Sequence, residues 1–276
     1  MATDSAPRGG AFTRLPCPIP GVDIVRADTA RAFSRHIHDE FGIGLIDRGA
    51  QKSASGRGIV EAGPGDLITV NPGEVHDGLP IGDHGRAWRM LYLSPELVMA
   101  LLADIAEDHP ARDVEFHHPA LHDARIATRF EALFLATTSE PAAATDTLRA
   151  DSALVLLLQS LLHPRAPAST ALPSGIAAAR TRLDDELASP ASLADLAREA
   201  GLSRFQFLRA FTRATGLPPH AYLVQRRLQR ARRLIGLGTP LAEAAAASGF
   251  CDQSHLTRHF VRCFGIPPGV YAAALR

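Results

Sequence analysis

Lysine is nearly missing from this chain of 276 residues: Lys52 is the single lysine among 29 basic side chains, and all the others are arginine. Arginine presents a planar fork of donors that matches phosphates and guanine edges bidentately, although a GC-rich coding sequence would give the same bias. Cysteine is scarce and odd in number. Cys17, Cys251 and Cys263 are far apart, which excludes a disulfide scaffold and fits a reducing, cytoplasmic location. Long apolar runs are also lacking. Runs such as ALVLLL at 153–158 are far below the ~18–20 residues of a spanning helix, so no membrane association is expected. The amino terminus, MATDSAPRGGAFTRLP, lacks the basic start and apolar stretch of a secretory signal. With 46% hydrophobic and 21% charged residues, disorder is excluded as well.

Net charge is absent too, but only as a total. Residues 1–169 hold 15 basic and 22 acidic side chains, a surplus of seven negative, whereas residues 170–276 hold 14 and 7, a surplus of seven positive. The Pro/Ala/Ser-rich stretch HPRAPASTALPSG (163–175) separates the two halves. An acidic domain joined to a basic one implies different partners for each.

The pattern along the chain divides it further. Residues 1–20 read as a flexible arm. Over 21–93, short segments with turn residues between them (VDIVRA, FSRHIH, FGIGLIDRG, GRGIVEAG, DLITVNPG, RAWRMLYL) predict a small antiparallel β-barrel or sandwich. From 94 to 163 the apolar period becomes helical, in PELVMALLADIAE, ALHDARIATRFEALFLATT and TDTLRADSALVLLLQSLLH. The last is apolar around most of its circumference, as a dimer interface or a buried core helix would be. Residues 164–175 form a linker. Residues 176–276 read as all-α, which makes the whole an α+β chain of two domains.

Within the basic half a plan repeats. A capping residue (Ser192 with Asp195, or Thr239 before Pro240) opens a short Ala-rich helix, and a turn follows with Gly201 or Gly249. A new cap, Ser203 or Asp252, then opens a second helix that ends at Gly216 or Gly265. Each unit is helix, turn, helix. In such a unit the second helix enters the major groove and offers its outward amino-terminal side chains to base edges. Phe207, Ala210 and Phe211 turn inward, so Arg204, Phe205, Leu208, Arg209 and Thr212 face outward; Gln253, Ser254, Thr257 and Arg258 do so in the second unit. Arg209 and Arg258 suit guanine, Gln253 adenine, Phe205 a thymine methyl, and Arg213 and Arg262 phosphates. A connecting helix from about Pro219 to Ile235, some 25 Å long at ~1.5 Å per residue, allows two successive groove segments of double-stranded DNA to be read by one chain.

Residues 192–271 resemble the AraC/XylS-type transcription regulators. The second unit carries the signature AAAASGFCDQSHLTRHFVRCFGIPPGVY (244–271), with Ala245, Gly249, Phe250, Ser254, Leu256, Phe260, Gly265, Pro267, Pro268 and Tyr271 at the family's positions. The first unit matches through Leu196, Ala197, Ser203, Phe211, Gly216, Pro219, Tyr222, Arg227 and Ala231. Gln206 with Phe207, and the pair His255 and His259, are small departures. The resemblance implies base contacts near Phe205, Leu208 and Arg209 and near Gln253, Ser254, Thr257 and Arg258.

In the acidic half, His36 and His38 fall on one face of a strand, and GDLITVNPGEVH adds His76. HIHDEFGIGLIDRG (36–49) and PGDLITVNPGEVHDG (64–78) resemble the cupin-like sensor of AraC-type regulators. Three roles stand open for the histidines: hydrogen-bond partners of a small-molecule effector, barrel structure, or metal ligation. Glu40 lies closer to His38 than the carboxylate of a metal cupin would, so no metal or cofactor is assigned. His36, His38, Glu40, His76 and Arg89, the last as partner of an anionic ligand, form the candidate pocket. The expected function is a homodimeric, effector-responsive regulator of transcription without catalytic residues; the alternative is a metal-dependent cupin enzyme fused to a DNA-binding module.

Overall fold

The structure, a computed structural model, describes residues 10–82, 84–105, 113–138, 144–164, 172–188 and 191–274. It divides into two compact units, 1–165 and 166–276.

The first unit is built on nine successive strands: β1 (Ala11–Leu15), β2 (Val22–Thr29), β3 (Phe33–Ile37), β4 (Phe41–Arg48), β5 (Ala50–Ser55), β6 (Gly58–Ala62), β7 (Leu67–Val70), β8 (Val75–Ile81) and β9 (Arg86–Leu93). After these come α1 (Pro95–Ile105), β10 (Val114–Phe116), β11 (Ala120–Leu121), α2 (Ala124–Thr138), α3 (Ala144–Leu161) and β12 (Leu162–Pro164). Two antiparallel sheets result. One has the order β1-β2-β9-β4-β7-β11 and the other β3-β8-β5-β6, while β10 and β12 pair separately. Of the two expected forms, barrel or sandwich, the described residues form the two-sheet sandwich. The physical reason lies at the corners: β3 passes to β4, β4 to β5 and β8 to β9 by changing sheet, so the ladders end at edges.

Two further expectations shift. Within the expected arm, Ala11–Leu15 pairs with β2 from Ile24 to Asp28, while residues 1–9 lie outside the described residues. The helical stretch 94–163 also contains β10, β11 and the start of β12, segments too short to show a period.

Strand β9 sets the two environments of this unit through its alternation. Leu91 and Leu93 join Ile24, Ile43 and Leu67 in a core with Phe130, Leu133 and Phe134 of α2 and Leu154, Leu157, Leu158 and Leu161 of α3. The i, i+3, i+4 spacing on each helix makes that face continuous, and each fully buried Leu or Phe contributes about 1.5–3 kcal/mol. Arg86, Trp88, Met90 and Tyr92 take the opposite face. There Gly42 and Gly44 make room for Met90, since a Cβ on either would stand 2.6 Å from its terminal atoms.

The second unit contains α4 (Ser174–Asp185), α5 (Leu193–Glu199), α6 (Arg204–Thr215), α7 (Pro219–Gly236), α8 (Leu241–Ala247), α9 (Gln253–Phe264) and α10 (Pro268–Ala273). Helix α4 begins inside the expected linker, of which 165–171 lie outside the described residues. Ser192 caps α5 by accepting from Asp195 N–H, Ser203 and Gln206 form a reciprocal capping box on α6, and Asp252 caps α9. Gly216 and Gly265 end α6 and α9 in the left-handed conformation. Helix α8 starts one residue later than its sequence suggests, with Pro240 rather than Thr239 at the cap. Helix α7 carries the second core through Val224, Leu228, Ala231 and Ile235, packed with Ala244, Ala245, Phe250, Leu256 and Phe260.

Candidate functional site

The recognition faces follow from capping and periodicity. Helix α6 buries Phe207 and Phe211 completely, which fixes its rotation. The other face therefore points outward: Arg204, Phe205, Leu208, Arg209 and Arg213 are all exposed. Phe205 is 67% exposed, and the Arg209 guanidinium lies over its ring at 5.6 Å. Helix α9 is rotated in the same way by Leu256, Phe260 and Cys263, leaving Gln253, Ser254, Arg258 and Arg262 exposed. Thr257 is half-buried, and its hydroxyl donates to the Gln253 carbonyl at 2.8 Å, so only its acceptor lone pairs and methyl remain for a partner.

The connector arginines separate by environment. Arg226 pairs with Asp184 of α4 at 2.9 Å. Arg227 donates to the Leu187 carbonyl at 2.8 Å, and burial pulls its guanidinium below the usual range. Arg230 and Arg233 are exposed. Tyr222 donates to the same Asp184 at 2.9 Å, which fastens α4 to α7.

In the first unit the three histidines meet. His36 stands opposite His76 in the β3–β8 ladder. Ring centroids are 4.4 Å apart for His36 and His76, 4.9 Å for His36 and His38, and 5.2 Å for His38 and His76. His36 and His38 are buried, and His38 also packs on Tyr92 of β9 at 5.1 Å. Burial, and then the neighbouring His76, lowers the His36 pKa to about 3. Burial likewise lowers His76 to about 4, against a partly offsetting bond to the Glu74 carbonyl. Both rings are neutral at pH 7.

Two candidate pocket residues fall elsewhere. Glu40 is half-buried at the corner after β3, and the ligand atoms that gather within 4.8 Å belong to His36, His38 and His76 without it. Arg89 projects from the helix-facing side of β9. It binds Glu131 of α2 at 2.6 and 2.5 Å and Asp47 at 2.6 Å, over the rings of Phe130 and Phe134. Glu131 holds it charged well above the ordinary range, and it is committed to two carboxylates.

The residue that sequence reasoning missed is Arg86. Its side chain is 1% exposed and donates to Gln51 Oε1 at 2.9 Å, the Arg31 carbonyl at 3.0 Å and the Gly78 carbonyl at 3.2 Å. Its guanidinium lies over Trp88 at 4.8 Å and Phe33 at 5.6 Å. Among the described residues no carboxylate pairs with it, and burial lowers its pKa to about 10. A signal was available: 86, 88 and 92 share strand parity, which places Arg86 with the aromatic residues and Arg89 away from them.

Comparison with known proteins agrees with both halves of the geometry. Residues 19–158 match the AraC-like ligand binding domain, and residues 196–274 match a helix-turn-helix domain. The HTH-type transcriptional regulator YbfI of Bacillus subtilis is 27% identical over 233 residues, 81% of each chain. The multiple antibiotic resistance protein MarA of Escherichia coli is 32% identical over 90 residues, covering 32% of this chain and 71% of MarA. Apo ToxT K231A from Vibrio cholerae has a TM-score of 0.57 at 11% identity, covering 94% of this chain and 99% of that one. No helix among the described residues is long and apolar enough to cross a membrane. Two helix-turn-helix units behind a two-sheet ligand-binding unit, both matched over most of their length, place this chain in the AraC family of DNA-binding transcription regulators.

Proposed function

We propose that the chain reads two successive major-groove segments of duplex DNA through α6 and α9, under control of a small-molecule effector bound between the sheets of the first unit. The observation that carries the DNA reading is the inversion on α6: an aromatic side chain, Phe205, is held in solvent beside Arg209 while Phe207 and Phe211 fill the core. Holding a phenyl ring in water is unfavourable and makes sense where a thymine methyl or sugar covers it. Helix α7, 18 residues and therefore about 27 Å long, separates the two reading heads by a distance compatible with one DNA turn of ~34 Å once the flanking hairpins are added. Arg204, Arg209 and Leu208 in α6, and Gln253, Ser254, Thr257 and Arg258 in α9, contact bases; Arg213 and Arg262 contact phosphates.

The effector reading draws on the interior face lined by His36, His38, His76, Trp88 and Tyr92, whose rings supply both apolar surface and hydrogen-bonding tips. ToxT has been crystallised with an unsaturated fatty acid, in a structure that shares the fold at a TM-score of 0.51 and 12% identity. The protein acts in the cytoplasm as a homodimer. Its pairing surface includes the exposed Leu148 and Leu156 of α3.

Selection of duplexes from a random pool by the full chain tests the DNA reading. The expected product has two short motifs about 10 base pairs apart; enrichment of one motif, or none, contradicts it.

A further inference from the structure

We propose that His255 and His259 of α9 contact backbone phosphate oxygens of bound DNA, and that binding therefore transfers a proton from the solvent to this pair. The inference rests on the reading of α9 as a recognition helix, to which it adds two contact residues and a pH dependence.

Three observations carry it. First, His255, Arg258, His259 and Arg262 fall at i, i+3, i+4 and i+7, so they form one basic stripe along α9. Leu256, Phe260 and Cys263 are buried beside it. Arg258 and Arg262 are exposed whereas both histidines are half-buried, so the stripe runs along a flank of the helix rather than its outermost line. A helix seated in the major groove turns its flanks to the sugar–phosphate backbones, where the proposed contact of Arg262 lies.

Second, the two rings are held in place with their polar edges unused. Asp252 accepts from the His255 backbone N–H at 2.6 Å, which fixes the first turn. The imidazoles stand 4.8 Å apart, and both pack on Phe250, at 5.3 Å for His255 and 6.0 Å for His259. Phe250 is itself buried, so the pair rests on the core. Among the described residues no group hydrogen-bonds to either ring.

Third, the charges that act on the pair are of one sign. Burial holds His259 below its ordinary value near 6.5, and His255, Arg262, His220 of α7 and Arg258 follow in that order. The acids of the neighbouring elements are Glu243, in the first turn of α8, and Asp252, which is engaged at the cap; α10 offers only the Tyr271 phenol. In the free protein an added positive charge is thus repelled, and the His259 ring is neutral at pH 7. A phosphate brought against the stripe offsets that repulsion and accepts a charge-assisted hydrogen bond, so the protonated form is favoured in the complex. Two imidazoliums 4.8 Å apart would repel each other, which limits the pair to one proton.

The sign follows: the pair's affinity for protons is raised by DNA, so the gain is full at low pH and is lost as pH rises through the value in the complex. The full chain is titrated with its selected duplex at pH 6.0 and pH 7.5 at one salt concentration. Binding should be about 3- to 10-fold tighter at pH 6.0, since a shift of one pKa unit is worth tenfold at most. Calorimetry of the wild type at pH 6.5 in buffers of different ionisation enthalpy, which depends on no variant, should count about 0.5–1 proton taken up. His255→Gln/His259→Gln should bind with no pH dependence over this range. His259→Arg, charged at every pH, should bind at pH 7.5 as tightly as the wild type does at pH 6.0. His117→Gln/His163→Gln, at a stacked histidine pair in the first unit, should behave as the wild type. Equal affinity at both pH values, no proton uptake, or a pH dependence that survives in His255→Gln/His259→Gln or disappears in His117→Gln/His163→Gln overturns the proposal and leaves the reading of α9 standing. Absence of sequence-selective binding at either pH overturns both.

Discussion

Trp88 and Arg89 are adjacent in sequence and serve opposite faces of β9. The Trp88 indole lies between the sheets, 4.8 Å from the Arg86 guanidinium, while Arg89 reaches across to α2 and binds Glu131 at 2.6 Å. One residue of strand phase thus separates the face of β9 between the sheets from its helix-packed face.

Arg89→Met should lower the stability of the first unit by about 1–3 kcal/mol, because two carboxylates lose a shared, half-buried donor. Effector affinity should stay unchanged. Chemical denaturation with and without effector checks both. The pH sign follows from Glu131, whose carboxyl Arg89 holds below the ordinary value near 4.5. Its stabilising contribution is present above that value and is lost as pH falls through the lowered folded value. Glu131→Gln should flatten the acid limb of a stability profile below about pH 4.5.

Arg86→Lys should destabilise by about 2–4 kcal/mol even though charge is kept. A lysine's compact ammonium cannot reach Gln51 and the carbonyls of Arg31 and Gly78 together while lying over two rings, so buried acceptors are left unsatisfied. A shift of the urea midpoint worth less than about 0.5 kcal/mol would show that these bonds are not needed.

These two arginines also show what the sequence made legible. The six strand-like segments and their turn residues were readable, and so was the common side of His36 and His38, because period-two alternation fixes the side a strand residue occupies. Arg86 and Arg89 obey the same rule, but nothing local tells which parity faces the other sheet until the positions of Trp88 and Tyr92 are used to choose. The choice between barrel and sandwich was not legible. It depends on where ladders stop, and the corners that move β3, β4 and β8 between sheets contain ordinary turn residues. In the second unit more was visible, since Ser203, Asp252, Gly216 and Gly265 act locally through caps. The Arg226–Asp184 pair was hidden because its acid lies 42 residues away on α4.

Phe205→Ala and Phe207→Ala, two positions apart on α6, should give opposite phenotypes. The first removes a 67% exposed ring and should leave stability within about 0.5 kcal/mol while weakening DNA binding. The second empties a fully buried site and should cost about 3–5 kcal/mol. Thermal unfolding paired with a binding titration separates them. Equal destabilisation by both would place Phe205 in the core.

Leu148→Gln/Leu156→Gln should convert the protein to a monomer without loss of secondary structure, since both side chains are at least half exposed. Sedimentation velocity reads the change. An unaltered dimer would move the interface away from α3.

The most direct test of the account is base-resolved DNA affinity for Arg209→Ala and Arg258→Ala in the full chain, measured against every single substitution of the selected site. Each variant should lose about 1–3 kcal/mol and become indifferent to the base at one position, and the two positions should lie about 10 base pairs apart. Uniform loss at all sequences, with specificity intact at every position, would make both arginines phosphate contacts and contradict the assignment of α6 and α9 as the two reading heads.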